Sequence, residues 1–202
     1  LFKDKKTIIL PFFFLDIAKR AGYYLDVTNI ILDNTFKVLD KTDKEITINL
    51  STLDIESASV RNKILSLVAD PRYYGRVVFE LLEDEAAKDF KTIQDFVSIV
   101  KVVGGVKIAI DDFGAGYSNF ERLLDFQPDI LKIDGSLIKN IVDDSFSEHV
   151  VEAIVLFAKK ENIKTVAEFV SDEKILKKVT ELGIDYSQGY YLGKPDLLEN
   201  QK

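Results

Sequence analysis

Short β-rich segments alternate with stretches of helical periodicity along the whole chain, and this alternation limits the available folds more than any other feature. The β-rich segments run 44–50, 76–83, 106–112, 129–133, 163–168, 184–187 and 190–193. Between them Phe90, Ile93, Phe96, Val97 and Val100 form one apolar helix face, and Val150, Val151, Ile154, Val155 and Ala158 form another. Ile175, Leu176, Val179 and Leu182 form a third, with Gly183 as the stop. Strands separated by helices join through crossovers, which gives a mostly parallel sheet covered by helices. Two architectures satisfy that rule: a closed α/β barrel of eight strands and an open doubly wound sheet. No GxGxxG follows any strand segment, which counts against the open sheet. Two helices are expected over 11–38, ahead of the first detected strand, so a barrel would have its first strand upstream of Leu1. The apolar run from Ile8 to Leu15 is broken by Pro11 and reads as a turn feeding a buried helix, with Phe12, Phe13 and Phe14 in the core.

The strand ends carry the chemistry. One segment ends at Asn49, the next reaches Glu80 and Glu83, and the third ends at Asp111 and Asp112. Lys132 and Asp134 follow on the fourth, Glu168 on the fifth, and Gln188 after the sixth. In a parallel barrel every strand opens its C-terminal end on one rim, so groups far apart in sequence would meet there. Converging carboxylates raise one another's pKa unless a cation neutralises them. An oxygen-only donor set without Cys or a local His suits Mg²⁺, Mn²⁺ or Ca²⁺. Two such ions can clamp the attacking and leaving oxygens of a phosphoryl displacement, with Lys132 stabilising charge or positioning water. Metal-assisted phosphoester hydrolysis is therefore the leading chemistry, and enolate chemistry on one Mg²⁺ is its rival. The net charge of −7 argues against a protein that grips DNA or RNA through phosphates. The absence of cysteine fits a reducing compartment, hence a cytoplasmic domain, and no apolar run reaches the ~18 residues of a membrane span. The one histidine, His149, lies near a helix start and reads as structural or solvated.

The spacing of these residues closely resembles the EAL domain family. Asp111-Asp112-Phe113-Gly114-Ala115-Gly116-Tyr117-Ser118 is similar to the family's DDFGTGYS. In family order lie Asn49-Leu50-Ser51 (N-x-S), Glu80-Leu81-Leu82-Glu83 (E-x-x-E), Lys132-Ile133-Asp134 (K-I-D), Ala167-Glu168 (A-E) and Gln188-Gly189-Tyr190-Tyr191-Leu192-Gly193-Lys194-Pro195 (QGY-x-x-GKP). The resemblance spans essentially the whole chain, 1–202, as one domain. It implies a modified (β/α)8 TIM-type barrel with an antiparallel first strand, and hydrolysis of one phosphodiester of cyclic di-GMP with Mg²⁺ or Mn²⁺, as a two-metal site. It assigns Asn49, Glu80, Asp111, Asp112 and Glu168 to metal, and Lys132 with Asp112 and Glu168 to catalysis. Gln188 and Asp134 would support the substrate side, and Glu83 would anchor the loop from Phe113 to Ser118. A homodimer and an upstream GGDEF or sensor domain are also implied, and a full-length protein could be membrane-anchored through such upstream segments.

Two departures bear on activity. The E-A-L segment, with its metal-binding Glu and following Arg, is absent, as is the first strand that would carry it. The chain begins at Leu1 and contains no Met, so it reads as an N-terminally truncated fragment. The segment Ala167-Glu168-Phe169-Val170-Ser171 stands where the family has A-E-G-V-E, so Ser171 replaces a carboxylate. The alternative to an active phosphodiesterase is a domain that binds cyclic di-GMP or a protein partner without cleavage.

Overall fold

A computed structural model of the chain describes residues 11–82, 90–115, 123 and 126–195. Helices α1 (Pro11–Arg20) and α2 (Tyr24–Leu39) precede strand β1 (Ile46–Leu50). Helices α3 (Thr52–Glu56) and α4 (Ala58–Val68) and a 3₁₀ turn (Pro71–Tyr73) lead to β2 (Val77–Leu82). Helix α5 (Phe90–Gly104) leads to β3 (Lys107–Phe113), which is followed by β4 (Ile130–Ile133), α6 (Gly135–Asn140) and α7 (Ser145–Lys160). Then come β5 (Lys164–Ala167), α8 (Glu173–Glu181) and β6 (Tyr186–Ser187). All neighbouring strands pair in parallel, in the order β1-β2-β3-β4-β5-β6. The sheet and its alternating helices make the greater part of a modified (β/α)8 barrel.

The pleat sorts each strand into two faces, because successive side chains point to opposite sides. Ile48, Leu50, Phe79, Leu81, Ile108, Ile110, Leu131 and Ile133 are all buried. This face meets the helices: the Phe79 ring lies 6.0 Å from that of Phe96 on α5. Ile93, Val97 and Val100 of α5 are buried, as are Val151, Ile154, Val155 and Ala158 of α7 and Ile175 and Val179 of α8. The helical spacing of apolar residues in the sequence therefore marks the faces that cover the sheet. Gly183 takes a left-handed φ of +76° just after α8, and its N–H bonds the Thr180 carbonyl at 3.0 Å, so it ends the helix as its position predicts.

Two expectations fail. Residues 190–193 form a turn and not a strand: Leu192 and Gly193 both donate to the Gly189 carbonyl, at 3.0 and 3.1 Å. Glycine at both ends of a short aromatic run favours that local closure over extension. Helix α1 is not buried either, for Phe13 and Ile17 are 64% and 59% exposed. Phe14 and Leu15 are half-buried, and no described side chain of α1 belongs to the buried core. Residues 1–10 lie outside the described residues, and the expected first strand would precede Leu1.

Candidate active site

The register of the sheet places the polar strand residues on one face. Asn49 pairs with Glu80 and Glu80 with Ala109, so all three point the same way. Ala109 pairs with Ile130, and two residues further along each strand stand Asp111 and Lys132. Lys132 pairs with Val166, two residues before Glu168. Parity alone thus sends Asn49, Glu80, Asp111, Lys132 and Glu168 to the face opposite the helices, toward the barrel interior. Gln188 follows β6 beside them, its N–H bonded to the Ala167 carbonyl at 2.8 Å.

Asp112 would break this parity in a regular strand, since it directly follows Asp111. The ladder between β3 and β4 slips here. Ile110 pairs with Leu131 and Phe113 with Ile133, so Asp111 and Asp112 together oppose the single residue Lys132. Asp112 takes a left-handed φ of +56° within this bulge. A bulge re-aims one side chain and is common near active sites. As a result, carboxylate oxygens of Asp111, Asp112 and Glu168 lie within 4.8 Å of one another and could hold a metal ion.

Lys132 is the electrostatic centre. Its Nζ lies 2.7 Å from Asp111 Oδ1, 2.9 Å from Glu168 Oε1 and 3.3 Å from Glu80 Oε2, and the residue is 6% exposed. Burial works against its charge, yet the bonds to Asp111 and Glu168 and the nearby Glu80 outweigh it and hold the ammonium well above the ordinary lysine range. The acids remain crowded. Burial raises Glu80 and Glu168 above the usual carboxylate range despite Lys132, and Asp111 adds to both rises. Burial likewise raises Asp112, followed by the charges of Asp111 and Asp134. Asp134 goes the other way: burial opposes its charge, but hydrogen bonds from Ser136 and Gly135 and one with Asp112 hold it low. One lysine among four rim carboxylates leaves net negative charge in a poorly solvated place, which is the electrostatic setting a divalent cation fits.

Not every predicted site residue joins the cluster. Asn49 stands in register with Glu80 but is exposed. Asp134 caps α6, accepting from the Ser136 N–H at 2.9 Å, and touches the cluster through Asp112. Gln188 is exposed at the edge of a neighbouring cavity. Glu83 lies outside the described residues, as do Gly116, Tyr117 and Ser118 of the loop it was expected to anchor. Ser171 is exposed, and its hydroxyl bonds Asp172 at 3.2 Å.

The sequence reading missed that cavity. It measures about 900 Å³ and adjoins Glu168, with Phe169, Lys139, Gln188, Tyr190 and Lys194 among its walls. The departure of Phe169 from the family's glycine was the available signal. It also missed Asp54, a fully buried carboxylate that accepts from Tyr24, Thr28 and Ser51 just after Asn49.

The chain is 34% identical over 201 residues to the cyclic di-GMP phosphodiesterase PdeF of Escherichia coli K12, covering 96% of this chain and 27% of PdeF. It is 32% identical over 198 residues to MucR of Pseudomonas aeruginosa, named a bifunctional diguanylate cyclase/cyclic di-GMP phosphodiesterase, covering 93% of this chain and 28% of MucR. The chain thus spans about a quarter of the length of these curated relatives. Among solved structures, the PaMucR phosphodiesterase in complex with c-di-GMP superposes with a TM-score of 0.85 at 30% identity, covering 96% of this chain and 81% of that one. The EAL domain family model matches residues 1–195. On fold, rim chemistry and sequence together, the chain belongs to the EAL domain family.

Proposed function

We propose that this domain hydrolyses one phosphodiester bond of cyclic di-GMP with a divalent metal held at the barrel rim, releasing the linear dinucleotide. The observation that carries the reading is the convergence of Asp111, Asp112, Glu168 and Glu80 around Lys132 on one face of a parallel sheet. The names of PdeF and MucR and the ligand of the PaMucR complex support the substrate.

The donor set fits the metal. Asn49, Glu80, Asp111, Asp112 and Glu168 offer only carboxylate and amide oxygens, the ligands of Mg²⁺ and Mn²⁺, and their number suits two ions. When bound, such ions neutralise the acids, polarise the phosphate and make water a nucleophile near neutral pH. The chain's own residues do the rest. Lys132 stays charged, and its N–H donors hold a water or a phosphate oxygen against the rim. Asp112 accepts a proton from that water, and once protonated it donates a hydrogen bond to Asp134, which is held low. Attack on phosphorus forms one P–O bond and breaks another, leaving a phosphate monoester at one end and a free hydroxyl at the other. Gln188 supports the substrate from the cavity edge. The bifunctional name of MucR supports a GGDEF or sensor domain upstream of this one, and we extend the resemblance to a homodimer.

Ser171 favours a second reading, a domain that binds cyclic di-GMP without cleaving it, because a family carboxylate is missing beside Glu168. Incubation of the full-length protein with cyclic di-GMP and Mn²⁺, followed by chromatography of the nucleotides, separates the two. Linear product is the expected result. Tight binding with no product would leave the binding-only reading, and neither binding nor product would refute both.

A further inference from the structure

We propose that Phe169 is a base-stacking platform, placed beside the metal-binding rim to receive a guanine of the cyclic dinucleotide. The inference rests on the function proposed above and deepens it. Phe169 directly follows Glu168 and lines the cavity that adjoins it. Its backbone takes a left-handed φ of +54°, which non-glycine residues adopt rarely and which concentrates at functional sites. A large apolar side chain held that way and left 54% exposed presents ring surface at the cavity wall.

Helix α6 supports the ring. A Cβ built on Gly135 would come within 2.2 Å of Phe169 Cδ2, so the ring lies directly against the helix backbone. Lys139, one turn further along, places Nζ 4.1 Å from the ring centroid. Residues four apart share one helix face, so both contacts brace the ring along the same side of α6. The exposed remainder of the ring faces the cavity. Lys194 and Tyr190 stand on the cavity wall, the lysine 5.9 Å from the tyrosine ring. An aromatic surface and cations around one cavity, with Glu168 of the acid cluster at its wall, match the base and the phosphate of a nucleotide. Aromatic side chains stack on any base, and loss of one such contact weakens binding measurably.

The test is the dissociation constant of cyclic di-GMP, measured by calorimetry, for wild type, Phe169→Gly, Phe169→Trp and Gly135→Ala, with melting curves for each. Phe169→Gly is expected to bind about tenfold more weakly. It should melt no lower than wild type, because glycine takes positive φ without strain. If the domain turns over, KM should rise while kcat holds, the mark of lost ground-state binding. Phe169→Trp should retain affinity. Gly135→Ala should weaken binding by displacing the ring, but have no further effect in a Phe169→Gly background. Unchanged affinity in Phe169→Gly, with wild type binding normally, would overturn this proposal alone. Failure of wild type to bind cyclic di-GMP would instead remove the function reading and this inference with it.

Discussion

Lys132→Ala is expected to abolish turnover and to destabilise the metal-free domain by about 3–5 kcal/mol, the cost of leaving buried charge unpaired. The lysine touches three carboxylates within 3.3 Å, and each is largely buried. Without it Glu80, Asp111 and Glu168 face one another across a poorly solvated rim, and burial already pushes two of them upward. For a domain of this size the loss corresponds to a fall in Tm of roughly 10 °C. Mn²⁺ should return part of that stability, since a cation bound only by the folded state stabilises it by mass action. Turnover should not return, because the ion neutralises the acids but does not replace the ammonium donors. Asp111→Asn should also lose turnover while melting closer to wild type, because Lys132 keeps two partners. Melting curves in chelator and in Mn²⁺, beside a nucleotide assay, check each part. A Lys132→Ala protein with wild-type rate, or with unchanged Tm in chelator, contradicts the role assigned here.

Asp54→Ala should cost a similar amount, about 3–5 kcal/mol, by a different route. Asp54 is 0% exposed and accepts from the Thr28 hydroxyl at 2.6 Å, the Ser51 N–H and hydroxyl at 2.9 Å, and the Tyr24 hydroxyl at 3.1 Å. Alanine removes the acceptor of the buried Thr28 and Ser51 donors. The same bonds tie α2 to the start of α3 and fix Ser51, two residues beyond Asn49. Loosening them should therefore also weaken Mn²⁺ binding, read by metal titration of the purified domain. Asp54→Asn keeps the shape and one acceptor oxygen, so it should lose about half as much stability. Equal melting of Asp54→Ala and wild type would show that the network does not hold this corner of the barrel.

Much of the site was legible before any fold was known, and particular residues show why. Glu80 interrupts an apolar strand, and Lys132 stands among Ile130, Leu131 and Ile133. A charge in such a place needs partners, and the period of two then aligns it with others at the same strand end. The parallel pairing of neighbouring strands also follows from alternation and right-handed crossovers. Residues 190–193 misled because aromatic content favours a strand, while the glycines flanking that run closed it into a turn. Helix α1 misled because an apolar run states that burial is favourable, not that a surface is available to cover it.

The sequence by itself determined which residues are chemical and on which strands they sit, because those are local properties of side-chain type and spacing. Tertiary structure alone decided how they meet. The bulge that turns Asp112 to the same rim as Asp111, the fit of the Phe169 ring against Gly135, and the closure of Asp54 with Tyr24 and Thr28 each depend on contacts between distant segments. A backbone takes a left-handed φ, or buries a carboxylate, only where surrounding packing offsets the cost, and no local stretch of sequence records that packing.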